Sequence, residues 1–120
     1  MIRRKKDIHK IKKNAPFAGV GDITVRDLLE GPKELYEKGR VFAHTTVYPG
    51  SAIGFHKHNN ESETYYILSG KGKYNDNGSI VDVEPGDVYF CGDGEGHGIE
   101  ATTEPIEMIA LILYHHIKEN

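Results

Sequence analysis

Residues 50–70 read GSAIGFHKHNNESETYYILSG, and the order of donor side chains within them decides how the chain folds. His56 and His58 are two apart, so on a strand both imidazoles leave from the same face. Asn59 and Asn60 favour a turn, and Glu63 opens the apolar run Tyr65–Leu68, so a hairpin returns this carboxylate beside the two histidines. Two neutral imidazoles and a carboxylate suit a first-row divalent ion. A further imidazole, His97, stands far along the chain inside GDGEGHG, residues 92–98. The remaining sequence then reads as the scaffold that brings His97 to the hairpin.

Strand signals surround this stretch. Val41–Tyr48 alternates with Phe42, His44, Thr46 and Tyr48 on one face and Val41, Ala43, Thr45 and Val47 on the other; both faces carry apolar groups, which predicts a strand between two layers. Downstream, Lys71–Asp76 and Ile80–Val83 flank Asn77-Gly78, a strong two-residue hairpin signal. Glu84-Pro85-Gly86 turns into a short strand over Asp87–Cys91, and Ile106–His116 reads as the last strand. Upstream, Ile23, Val25 and Leu28 predict a first strand, and Lys33–Lys38, bracketed by Pro32 and Gly39, predicts one or two helical turns. Roughly eight strands with turns about every 8–12 residues indicate an all-β sandwich or small barrel. Four glycines within residues 92–98 make that loop costly to order, so a bound ion is expected to order it.

Composition supports the same class. In 120 residues with 14 Gly, 5 Pro and 7 Tyr there is room for one core, and no space for a catalytic domain plus a separate DNA-reading one. Residues 1–13 hold seven Lys or Arg and one acid, leaving eight basic and seventeen acidic side chains beyond them, a net of −9. Residues 1–22 are therefore expected to form a solvated or loosely docked basic arm, with 23–120 as the domain and its barrel core at about 40–116. A body so acidic makes a poor nucleic-acid surface. The lone Cys91 excludes an intrachain disulfide and reads as core; no signal-peptide core or bilayer-length apolar run is present, so the expectation is a cytoplasmic protein without membrane contact.

The spacing Gly50-x5-His56-x-His58-x4-Glu63-x6-Gly70 resembles the first motif of the cupins at every fixed position. Residues 86–101 are similar to the second, with Gly86, Gly94 and His97 in place, Gly92 where proline is usual and Ala101 where asparagine is usual. The resemblance implies a cupin double-stranded β-helix, a jelly-roll barrel, holding one divalent transition metal ion (Mn, Fe, Ni or Zn) through His56, His58, Glu63 and His97. It also points to a homodimer, as do the strands with apolar residues on both faces.

Tyr65 and Ile67 share parity with Glu63 and are expected to line the pocket, with His44 a further candidate. No Ser/His/Asp pattern, phosphate-binding loop or dinucleotide fingerprint occurs, and no catalytic residue is assigned. Two functions fit: a small metal-dependent enzyme of dioxygenase, decarboxylase or isomerase type acting on an oxygen-rich small molecule, or a non-catalytic module binding a sugar or small acid. A titratable side chain beyond the ligands, within reach of the ion, would mark the enzyme.

Overall fold

The two-residue alternation resolves into ten strands in the computed structural model, which describes residues 1–116. They are β1 (Lys10–Asn14), β2 (Asp22–Leu29), β3 (Gly39–Val47), β4 (Ala52–Lys57), β5 (Glu61–Ser69), β6 (Gly72–Asp76), β7 (Ser79–Asp82), β8 (Val88–Cys91), β9 (Gly96–Ala101) and β10 (Ile106–Tyr114). One helical turn, α1 (Gly31–Glu34), is the only α-helix among the described residues. The strands form two antiparallel sheets, one ordered β1-β2-β3-β10-β5-β8 and the other β4-β9-β6-β7. This is the expected all-β jelly-roll architecture.

Period-two patterning explains which residues lie between the sheets. Ala43, Thr45 and Val47 of β3, Tyr65 and Ile67 of β5, and Ile106, Met108, Ala110 and Ile112 of β10 are buried from one sheet; Ile53, Tyr74, Ile99 and Ala101 meet them from the other. Burying Ile67, Ile106 or Met108 contributes roughly 1.5–3 kcal/mol each. The Asn77-Gly78 hairpin forms as read: both residues are left-handed, at φ 51° and 102°, between the paired Asp76 and Ser79.

The N-terminal segment stays exposed but is more firmly docked than the solvated or loosely docked arm expected of residues 1–22. Lys10–Asn14 is a strand, paired along its length with β2 from Lys10 opposite Arg26 to Asn14 opposite Asp22. The acidic body supplies counter-charge and a hydrogen-bond partner: Lys12 Nζ lies 3.4 Å from Asp22, and His9 Nδ1 is in hydrogen-bond reach of Asp27 at 2.9 Å. Arg3 forks onto Glu34 at 3.0 and 2.9 Å, holding that carboxyl down at about 2, and also donates to the Leu28 carbonyl. All of β1 is exposed, and its lysines guard the sheet edge against pairing with other chains. The last strand ends at Tyr114, two residues short of the expected His116, and residues 117–120 of the expected domain lie outside the described ones.

Candidate metal centre

The two sheets meet at four polar side chains. His56 belongs to β4, where it pairs with His97 of β9; His58 follows the end of β4; Glu63 belongs to β5 in the opposite sheet. His58, Glu63 and His97 are 3%, 7% and 1% exposed, and the His56 side chain 8%. Glu63 Oε1 lies 3.1 Å from His58 Nε2, 3.0 Å from His97 Nε2 and 3.8 Å from His56 Nε2, and the two former nitrogens are 3.1 Å apart. One ligand atom from each residue lies within 4.8 Å of every other.

Each imidazole is held from behind. His56 Nδ1 donates to the Gly54 carbonyl at 2.8 Å, which leaves the Nε2 lone pair facing the cluster. His58 Nδ1 meets Glu61 Oε2 at 2.6 Å, and His97 Nδ1 meets the Tyr74 hydroxyl at 2.8 Å. Glu61 is itself gripped by Arg40, with both bonds at 2.8 Å. Such partners fix ring orientation and tautomer in metal sites. Burial alone would raise the Glu63 carboxyl, yet the imidazoles of His56, His58 and His97 around it together hold it well below the usual range. Burial lowers His97, favouring its neutral ring, whereas the bond to Glu63 raises His58.

This donor set fits a divalent ion. Metal–ligand bonds of about 2.1 Å at right angles place neighbouring donors about 3.0 Å apart, the separation seen between Glu63 Oε1 and the His58 and His97 nitrogens. An ionised, buried carboxylate ringed by three imidazole nitrogens is costly to bury without a cation.

A cavity of about 120 Å³ adjoins the cluster, lined by His56, His58 and Glu63 and walled mainly by apolar groups such as Ile23, Ile53 and Met108. Of the three residues expected to line it, Tyr65 does, stacked on His97 with centroids 5.0 Å apart. The other two are corrected. Ile67 is fully buried in the core, further along β5, and His44 points to the outer side of its sheet, where its Nε2 meets Glu107 at 2.8 Å. The parity of β3 sends Ala43 and Thr45 inward and His44 out.

The sequence reading missed Glu61, Arg40, Tyr74, Lys13 and Phe17. Glu61 carried a signal, being three residues from His58 and of the same parity as Glu63. Phe17 carried none: its ring lies 3.9 Å from that of His56, 10° from parallel, on a left-handed backbone at φ 53°. Ala15 and Ala18 are left-handed too, each such residue costing roughly 1–3 kcal/mol.

The glycine-rich loop, expected to be ordered by an ion, is also bonded by protein groups. β9 begins at Gly96, and the preceding bend is bonded on several sides: Gly94 N–H to the His58 carbonyl at 2.7 Å, His58 N–H to the Glu95 carbonyl at 3.1 Å, and Gly96 N–H to Asn77 Oδ1 at 2.8 Å. Hydrogen exchange at Gly94 and Gly96 should therefore be slow in metal-free and metal-loaded protein alike; fast exchange confined to the metal-free form would mean that the ion orders the bend. Gly94, at φ +83°, is the position where alanine should strain it, by about 1–2 kcal/mol.

Comparison with known proteins agrees with this geometry. The cupin domain family matches residues 43–113. The oxalate-binding protein of Thermotoga maritima is 38% identical over 114 residues, covering 94% of this chain and 93% of that protein. A crystal structure described as a predicted oxalate decarboxylase from Thermotoga maritima superposes with a TM-score of 0.89 at 37% identity, over 95% of this chain and 99% of that one. A cupin 2 conserved barrel domain protein from Rhodopseudomonas palustris, 16% identical, shares the fold with a TM-score of 0.70 over 93% of this chain and 74% of its own.

Proposed function

This chain belongs to the cupin family, and from that premise we propose that its barrel holds one divalent ion on His56, His58, Glu63 and His97 and there binds a small dicarboxylate of the oxalate class. The ion, when bound, supplies positive charge and open coordination positions for ligand oxygens. The apolar walls exclude water and strengthen that attraction. The oxalate-binding relative supports the ligand class.

We read the site as a binding module. The observation that carries this is the cavity wall: beyond His56, His58 and Glu63 its titratable side chains are Tyr65, Lys13 and the Arg40 held by Glu61, and it offers no further carboxyl or imidazole to take up a proton among the described residues. Burial, then the charge of Glu63, raises the Tyr65 phenol well above its usual value, which removes it as a base. Calorimetry with metal-loaded protein should detect oxalate binding that vanishes in chelator-treated protein, with no formate or carbon dioxide released. Steady product release would replace the module by an enzyme.

We also infer a homodimer. Tyr66, Leu68, Val88, Phe90 and Leu113 stand exposed on the outer face of the six-stranded sheet, an apolar patch of the kind that marks an interface. Light scattering at micromolar concentration should give twice the chain mass of 13.4 kDa; the monomer mass would reject it. A cytoplasmic setting and a small-molecule partner in place of nucleic acid complete the reading; none of the described helices is long and apolar enough to cross a membrane.

A further inference from the structure

We propose that Lys13 and Phe17, both from the N-terminal segment, are the selectivity determinants of this pocket: Lys13 supplies the positive charge that a dianion requires, and Phe17 is the wall that limits ligand length. The proposal rests on the reading of the pocket as a metal-held dicarboxylate site.

Pairing of β1 with β2 sets Lys13 opposite Ile23, and both line the cavity beside the metal cluster. The other cation in its lining, Arg40, is already engaged by Glu61 through two bonds. No carboxylate lies within salt-bridge reach of Lys13 among the described residues, although its neighbour Lys12 has Asp22. A divalent ion with Glu63 as its one anionic ligand leaves a single positive charge. A monocarboxylate cancels that charge, whereas a dicarboxylate overshoots it and leaves one negative charge against apolar walls, which is costly without a cation nearby. Lys13, an exposed residue in that lining with no carboxylate partner among the described residues, is the cation left to balance it, so it should matter for dianions and hardly at all for monoanions.

Phe17 is 59% exposed, yet its ring lies flat on His56. Two glycines make this placement possible by letting the turn at residues 16–18 rest directly on β4. A Cβ on Gly54 would meet the Phe17 carbonyl oxygen at 2.0 Å, and one on Gly19 would meet that of Ala52 at 2.0 Å. The Val20–Ala52 bridge fastens the same contact. Left-handed, non-glycine backbone persists where surrounding structure over-determines it, and ligand clamps are one such setting. The cavity it helps to close, about 120 Å³, is small beside the roughly 300–1,000 Å³ of ordinary ligand pockets.

Calorimetry with acetate, oxalate and succinate on the metal-loaded full chain tests both roles, with metal content measured for each variant. Lys13→Met should weaken oxalate at least about tenfold and leave acetate within about twofold. Phe17→Ala should raise succinate affinity relative to oxalate at least about tenfold at unchanged metal content; Phe17→Leu, which keeps an apolar contact with His56, should move the ratio in the same direction by less. Equal losses of acetate and oxalate in Lys13→Met, or an unchanged length preference in both Phe17 variants, would overturn the proposal while leaving the dicarboxylate site standing. Loss of metal in both Phe17 variants would make Phe17 a support for His56 and overturn its role as a wall. Failure of the unaltered protein to bind any of the three acids would overturn the dicarboxylate reading and this proposal with it.

Discussion

Replacing His58 and His97 together by alanine should abolish stoichiometric metal binding and, with it, the stabilisation that metal gives the unaltered protein. These two rings lie 3.1 and 3.0 Å from Glu63 Oε1, so removing both leaves only His56, at 3.8 Å, opposite the carboxylate. Metal that binds the folded chain and not the unfolded one adds about 2.7 kcal/mol at a hundredfold excess over its dissociation constant. In a domain of this size that raises the melting temperature by roughly 10 °C. The comparison to make is the metal-induced shift in each protein, which cancels any packing loss from the substitutions themselves. A shift of equal size in the double variant, or one ion retained per chain, would reject the four-residue site. Imidazoles bind metal only when neutral, so affinity should also fall as acidification brings the pH toward and through about 6.5. The decline should begin with His58, whose ring Glu63, and to a lesser degree Glu61, hold above the ordinary value against the opposing effect of burial.

Of the four clustered side chains, His56, His58 and Glu63 were legible because a strand converts a spacing of two into a shared face and a hairpin returns a carboxylate to that face, whereas His97 came from the resemblance of residues 86–101 to a second motif. The Asn77-Gly78 turn and the paired faces of β3 and β10 were legible for the same local reason. What the sequence hid depends on pairing between distant segments. Lys10–Asn14 looks like a repelling charge run until Asp22 and Asp27 of the strand beside it are taken into account. Tyr74 reaches His97 only because β6 lies beside β9 in the register that sets Asp76 opposite His97, and no local pattern fixes that register. His44 shows the limit from the other side: its alternation was right, but the direction of the strand's inner face was not in the alternation.

Substituting Glu61 should weaken metal binding by about 10- to 100-fold although Glu61 is not among the four proposed ligands. Its carboxylate stands between Arg40, which grips both oxygens at 2.8 Å, and His58 Nδ1 at 2.6 Å, so the imidazole is aimed by a group whose own position is fixed. Arg40, opposed by burial, and then His58 hold Glu61 below the usual carboxyl range, keeping it ionised and able to accept the Nδ1 proton. That proton leaves the Nε2 lone pair facing the cluster and raises its basicity. In Glu61→Ala the ring loses this partner, and Arg40 is left unpaired beside the site, acting on Glu63, whose charge it already feels. Glu61→Gln keeps an acceptor oxygen but loses the charge, so its loss should be smaller. Arg40→Ala should reproduce part of the Glu61→Ala defect, and the two changes together should cost less than their sum because they act on one chain of contacts. The alternative support for His58 is its main chain, which donates to the Glu95 carbonyl at 3.1 Å. Competition titration against a calibrated chelator separates the two: affinity unchanged in Glu61→Ala would mean that this backbone bond alone sets the ring, and that the Arg40–Glu61 pair serves only to tie β3 to β5.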